Sequence, residues 1–178
     1  AQTSNGDGGW FYNISGGFRD QDTPSRHLGI QLAAQNSLKV SNNFSLMSGA
    51  SIDTATYNIT ISGTVFLDED AFWGNYATQG GTKTIGALVI GESAYFKAPT
   101  GTLTINSNNG GARAFKMATS PAGTFAHNNG TVVISDPVSG LGNIGGNDSD
   151  TITFYNLIIE GDNKETRDVP LLDVVNDL

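Results

Sequence analysis

The stretch Gly123-Thr-Phe-Ala-His-Asn-Asn-Gly-Thr-Val-Val-Ile-Ser135, followed by Thr153-Phe-Tyr-Asn-Leu-Ile-Ile159, decides the fold. Each piece is short, rich in β-branched and aromatic residues, and bounded by Gly, Asn or Ser. That is the signature of strand, turn and strand. Asn128-Asn-Gly130 supplies the turn, because Asn and Gly tolerate positive φ. A similar phrase, Trp10-Phe-Tyr-Asn-Ile14, stands near the start. The recurrence predicts a repetitive β architecture in which the first unit is one coil and the second is the next.

Working outward, the same grammar continues. Leu38-Lys-Val40, Phe44-Ser-Leu46, Tyr57-Asn-Ile-Thr-Ile61 and Leu103-Thr-Ile105 alternate apolar with polar residues. This period of two marks strands with one buried face. Val65-Phe-Leu67, Leu88-Val-Ile90 and Val132-Val-Ile134 are unbroken apolar runs, which predict strands buried on both faces. Comparable strands recur at roughly fifteen to thirty residues, the coil length of a β-solenoid with loop insertions. The expected fold is therefore all-β, a β-solenoid of parallel β-helix type. A β-sandwich or jelly roll, with strands every 8–12 residues or so, is the alternative. Helical periodicity is almost absent; the nearest candidate is Val169–Leu178, which Pro170 and the β-branched Val174 and Val175 weaken.

Composition agrees. The chain has 178 residues, of which 38% are hydrophobic, 15% charged and 23 are glycine. Typical globular domains carry about 25% charged residues and about 7% glycine, so here Ser, Thr, Asn and Gly must cover the surface. Residues 1–9 are polar and Gly-rich and read as a flexible arm, leaving 10–178 as one repetitive β domain. A net charge of −8 argues against nucleic-acid and anionic-membrane partners, both of which demand a basic stripe. There is no cysteine, so disulfides and thiolate metal sites are excluded. No apolar run reaches the roughly 20 residues of a membrane-spanning helix.

Chemistry is sparse. His27 and His127 are the two histidines; His127 belongs to the Asn-Asn-Gly turn, and neither is placed for a Ser-His-Asp arrangement or a metal triad. Glycoside cleavage needs two carboxyl groups about 5–10 Å apart. Asp68-Glu-Asp70, beside Phe72 and Trp73, is where acids meet aromatics that could stack on sugar, with Asp68 and Asp70 expected on one side of a strand. Asp148 and Asp150, after Gly145 and Gly146, offer oxygen ligands for calcium, and Asp20 and Asp22 form a second oxygen-rich patch. Apart from calcium no cofactor is expected. Asn-x-Ser/Thr triplets at Asn13, Asn43, Asn58, Asn129 and Asn147 follow from composition. Trp10, Phe11, Tyr12 and Phe18 form the densest aromatic cluster and read equally as an end cap or as an anchor on a partner.

The phrases at Gly123–Ile134 and Thr153–Ile159, with Gly49-Ala-Ser-Ile-Asp53 leading into Tyr57–Ile61, resemble units of repeat-rich structural proteins of marine tailed phages. Related repeats occur in large secreted bacterial surface proteins. The resemblance covers about residues 38–160, less regularly at 91–107, and brings no catalytic residues. It implies a non-enzymatic virion protein: a capsid decoration, fibre or appendage component on the virion surface that binds other virion proteins or copies of itself. The alternative it implies is a secreted, cell-surface adhesin or matrix module that binds carbohydrate, such as a host-surface glycan. A polysaccharide lyase or hydrolase acting through Asp68 and Asp70 is a third reading. Leu171–Leu178 resembles the opening of a further repeat, which implies a longer natural chain.

Overall fold

The computed structural model describes residues 9–11, 14–16, 29–31, 37–74, 79–106, 113–118, 121–135, 143–145, 151–160, 166–167 and 171–176. Its strands stack in three columns. The first runs through β1 (Gly9–Phe11), β4 (Leu38–Val40), the first half of β7 (Ile59–Leu67), the first half of β9 (Lys83–Ile90), β11 (Thr102–Ile105), β14 (Thr131–Ile134) and β17 (Asn156–Ile159). The second holds β2 (Ile14–Gly16), β5 (Phe44–Leu46), the later halves of β7 and β9, β12 (Arg113–Met117), β15 (Asn143–Gly145) and β18 (Thr166–Arg167). The third holds β3 (Gly29–Gln31), β6 (Ser51–Asp53), β8 (Phe72–Trp73), β10 (Tyr95–Lys97) and β13 (Thr124–Ala126). β16 (Thr151–Phe154) and β19 (Leu171–Val174) pair with each other and extend this third column, since the Phe154 ring lies 5.3 Å from that of Phe125.

Every pairing between these strands is parallel. No helix occurs among the described residues. The chain is a β-solenoid, as its repeats predict. Parallel neighbours cannot be joined by a hairpin, so each coil must travel round the other two columns before returning. That path explains the drifting period: Ile59 pairs with Lys83, Thr102 with Thr131, and Thr131 with Asn156. The last pairing makes Gly123–Ser135 and the segment around Thr153–Ile159 successive coils.

Alternation decides the core. Along β7, Ile59, Ile61, Val65 and Leu67 are buried while Thr60 and Ser62 are exposed. The three apolar runs depart from expectation: Phe66, Val89 and Val133 stand half-buried on the outer face, between fully buried neighbours. These strands have one core face, because a coil has an inside and an outside and, among the described residues, no second layer covers it. Column by column, the interior is filled by Leu38, Ile59, Ile85 and Leu103, by Phe44, Val65, Leu88 and Phe115, and by Ile52, Trp73, Phe96 and Phe154. The C-terminal segment that came nearest to a helix is strand β19, pairing with β16 from Thr151↔Leu171 to Phe154↔Val174.

Close approach of the coils demands glycine where the first column bends into the second. A Cβ on Gly86 would lie 2.5 Å from the Gly63 carbonyl oxygen, and one on Gly63 would strike Asn43 Oδ1 and the Asn42 backbone. Glycine at both levels lets β7 and β9 bend on top of each other, with the register shift between Ile61 and Thr64.

The early phrase Trp10-Phe-Tyr-Asn-Ile14 is not structurally equivalent to Thr153-Phe-Tyr-Asn-Leu157. Trp10 and Phe11 pair with Lys39 and Val40 in the first column, whereas Thr153 and Phe154 pair with Asp173 and Val174 in the third. Of the arm, Gly9 is already the first residue of β1, paired with Leu38, and residues 1–8 lie outside the described residues.

Candidate functional site

The acid-and-aromatic cluster falls at the corner between the second and third columns. There the coils make stacked turns: Ala50 N–H donates to Met47 O, Ala71 N–H to Asp68 O and Ala94 N–H to Gly91 O. The third residue of each turn has positive φ, 72° at Gly49, 57° at Asp70 and 53° at Ser93. The fourth is a buried alanine, small enough to let the chain turn inward. Coil is tied to coil through Gly49 N–H to Glu69 O, 3.3 Å, and Asp70 N–H to Glu92 O, 3.0 Å.

This geometry corrects the sequence expectation for Asp68 and Asp70. Neither lies on a strand; both belong to the turn and, like Glu69, are exposed. Asp68 Oδ1 accepts the Glu69 N–H at 3.0 Å, a local turn bond. Trp73 is fully buried and points into the core, where it stacks on Phe96 and meets the Phe44 ring edge-on. It therefore presents no face to a sugar. Phe72, its neighbour along β8, points the opposite way, as alternation requires. The Phe72 ring lies half-buried 6.3 Å from that of Tyr95, its partner in register on the next coil. Beside the corner, Asp68, Glu69, Val89, Gly91, Glu92 and Lys116 border an open depression of about 330 Å³. Turn carboxylates here can accept hydrogen bonds from hydroxyl groups, and Phe72 with Tyr95 can offer ring faces.

The opposite corner, from the third column into the first, holds polar groups that sequence reasoning passed over. Lys83 occupies a core position in register with Ile59 and Leu103 and is fully buried. Its Nζ donates to the carbonyl oxygens of Ala55 and Tyr57. Burial pulls the ammonium down to about 8 from its ordinary 10.5, with Asp53 opposing that shift. Asp53 Oδ1 accepts from Gln79 Nε2 at 2.9 Å and from Ala55 N–H at 3.0 Å, while Thr54 Oγ1 donates to Gln79 Oε1. Thr54 and Gln79 are fully buried, so the network ties two coils together from inside. The sequence signal was Thr-Lys-Thr at 82–84, where the alternation puts Lys83 among inward positions.

His127 opens a turn closed by Gly130 N–H to His127 O at 3.0 Å. Its ring stacks 5.8 Å from that of Tyr155, and its Nδ1 accepts the Asn129 N–H at 3.1 Å. Asn128 and Asn129 take φ of 51° and 57°. The Asn128 amide donates to Ala98 O at 2.9 Å and Gln79 O at 3.3 Å, bracing the earlier coils. Asn43 and Asn58 serve as braces too: their Oδ1 atoms accept the Thr64 and Thr82 N–H groups at 2.9 and 3.0 Å. Of the remaining candidates, Trp10 and Phe11 lie on β1. Tyr12, Phe18, His27, Asp20, Asp22, Asp148 and Asp150 fall outside the described residues. Among the described residues no group of three or more His, Asp or Glu is placed to hold a metal ion.

Fold and corner geometry define the class: a parallel β-solenoid whose coils are braced by stacked turns and internal amides. No protein-family model, curated protein or solved structure matches the chain.

Proposed function

We propose that this chain is a non-enzymatic structural protein of a virus particle, a decoration, fibre or appendage component that docks on the particle or on copies of itself. The observation that carries the reading is the unbroken parallel ladder of the first column, from Leu38 on Ile59 through Thr131 on Asn156, which closes an apolar interior behind a polar outer face. Such a stack is a stiff body that repeats its surface along its length, which suits a component of a particle. The coils go on stacking to where Val175 N–H donates to Phe154 O and Asn176 N–H to Tyr155 O, both 2.9 Å. The test is proteomic: purified particles from the source should contain the chain in many copies per particle. Its absence from particles, with secretion from bacterial cells instead, would overturn the reading.

One observation favours a second reading, an adhesin or matrix module that binds carbohydrate. The outward Phe72–Tyr95 pair beside exposed carboxylates is the arrangement a neutral glycan would use. Binding on a glycan array that is lost in Tyr95→Ala would establish it.

A further inference from the structure

The outer face of the first column carries a two-dimensional lattice of hydroxyl and methyl groups. One row runs through Thr60, Thr84 and Thr104, adjacent in register, and continues into Val133 and Ile158. A second row, two residues earlier along each strand, holds Asn58, Thr82, Thr102, Thr131 and Asn156. Neighbouring strands place members of a row about 4.8 Å apart, and two residues along a strand advance about 6.6 Å. From Ile59 to Ile61, and on through β11, β14 and β17, no register shift interrupts the pattern.

Two further observations bear on what this face meets. In a chain of net charge −8 neither row carries a charged side chain between Asn58 and Ile158, although Lys39 stands at the near end. The hydroxyls of Thr60, Thr84 and Thr104 also make no hydrogen bond to protein among the described residues, whereas in the second row Asn58, Thr131 and Asn156 are engaged. A neutral face with ordered, unspent hydroxyls excludes ionic partners. It also lacks the aromatic rings on which a glycan would stack, since Phe72 and Tyr95 lie on the third column. What matches a rigid, uncharged grid of hydroxyls and methyls is a solid whose own hydrogen-bonding groups repeat at similar distances. Water in hexagonal ice does so: its oxygen rows repeat at a spacing close to the distance between strands, and threonine can anchor water at its hydroxyl while its methyl fills the gap between rows.

We infer that the Thr60–Thr84–Thr104 face binds the surface of ice. This is independent of the proposed particle role, which rests on the stacking of the coils and not on the chemistry of this face. The test is thermal hysteresis and the shape of a single ice crystal, measured on the whole chain. Wild type is expected to open a gap between melting and growth and to facet the crystal. The double variant Thr84→Tyr, Thr104→Tyr should lose both, while Thr124→Tyr on the third column keeps them; circular dichroism checks that all three fold. No hysteresis and a rounded crystal with wild type would overturn the inference, as would full activity in the double variant. A wild-type mass shift abolished by the double variant, with no effect on ice, would also overturn it by showing that the face meets a second copy.

Discussion

Trp73 and Phe96 are register partners on successive coils, and their rings stack with centroids 5.4 Å apart and planes 26° from parallel. The stack continues to Phe125, 6.0 Å from Phe96 and 8° from parallel, and Phe44 closes it edge-on at 5.6 Å. One aromatic per coil thus forms a spine through the interior. Phe96→Ala should destabilise the fold by about 3–5 kcal/mol, since it removes a buried ring between two others. Trp73→Phe should cost far less: the indole Nε1 is buried with no hydrogen-bond partner, so losing it offsets part of the lost volume. Chemical denaturation of both variants checks the ranking, and equal losses would contradict it.

Lys83 gives stability a pH dependence with a definite sign. Its amine titrates at about 8 in the fold and at 10.5 when exposed, so the folded chain binds fewer protons between those values. Stability therefore rises with pH from about 8 to 10.5 and this contribution is absent below 8, with a ceiling of about 3 kcal/mol. Lys83→Met should flatten that rise relative to wild type in urea titrations at pH 7, 9 and 10.5.

Ser93 occupies a turn position that Gly49 fills two coils earlier, both at positive φ. A left-handed conformation costs a non-glycine residue about 1–2 kcal/mol, part of which glycine returns through chain entropy. Ser93→Gly should stabilise by about 0.5–1 kcal/mol and raise the melting temperature by a few degrees. Asp70→Gly should act in the same direction.

Asn128 is the counter-example, a left-handed residue whose side chain braces other coils. Asn128→Gly keeps the turn and removes two amide bonds, so it should lose about 1–3 kcal/mol, read from the melting curve. A gain would show that backbone strain outweighs the bracing.

Much of the architecture was legible because strand alternation is local. Tyr57–Ile61 and Thr102–Ile105 announce their buried and exposed faces residue by residue. What surrounds a strand is not local. Val65-Phe-Leu67 looks the same whether one face or two are covered, and only the solenoid leaves Phe66 outside. Trp73 reads as a sugar platform until the phase of β8 turns it inward. The likeness of Trp10–Ile14 to Thr153–Leu157 misleads because any column accepts an aromatic strand, so composition does not encode which column. Asp68 and Asp70 were misplaced because a positive φ at Asp70 ends the strand where β-propensity alone would extend it.

The most direct measurement of the central claim is sedimentation of the purified chain across a hundred-fold concentration range, with electron microscopy of the same samples. A structural component of this kind should form concentration-dependent assemblies or bind to purified particles added to the same samples. A chain that stays monomeric throughout and joins no particle would contradict the account.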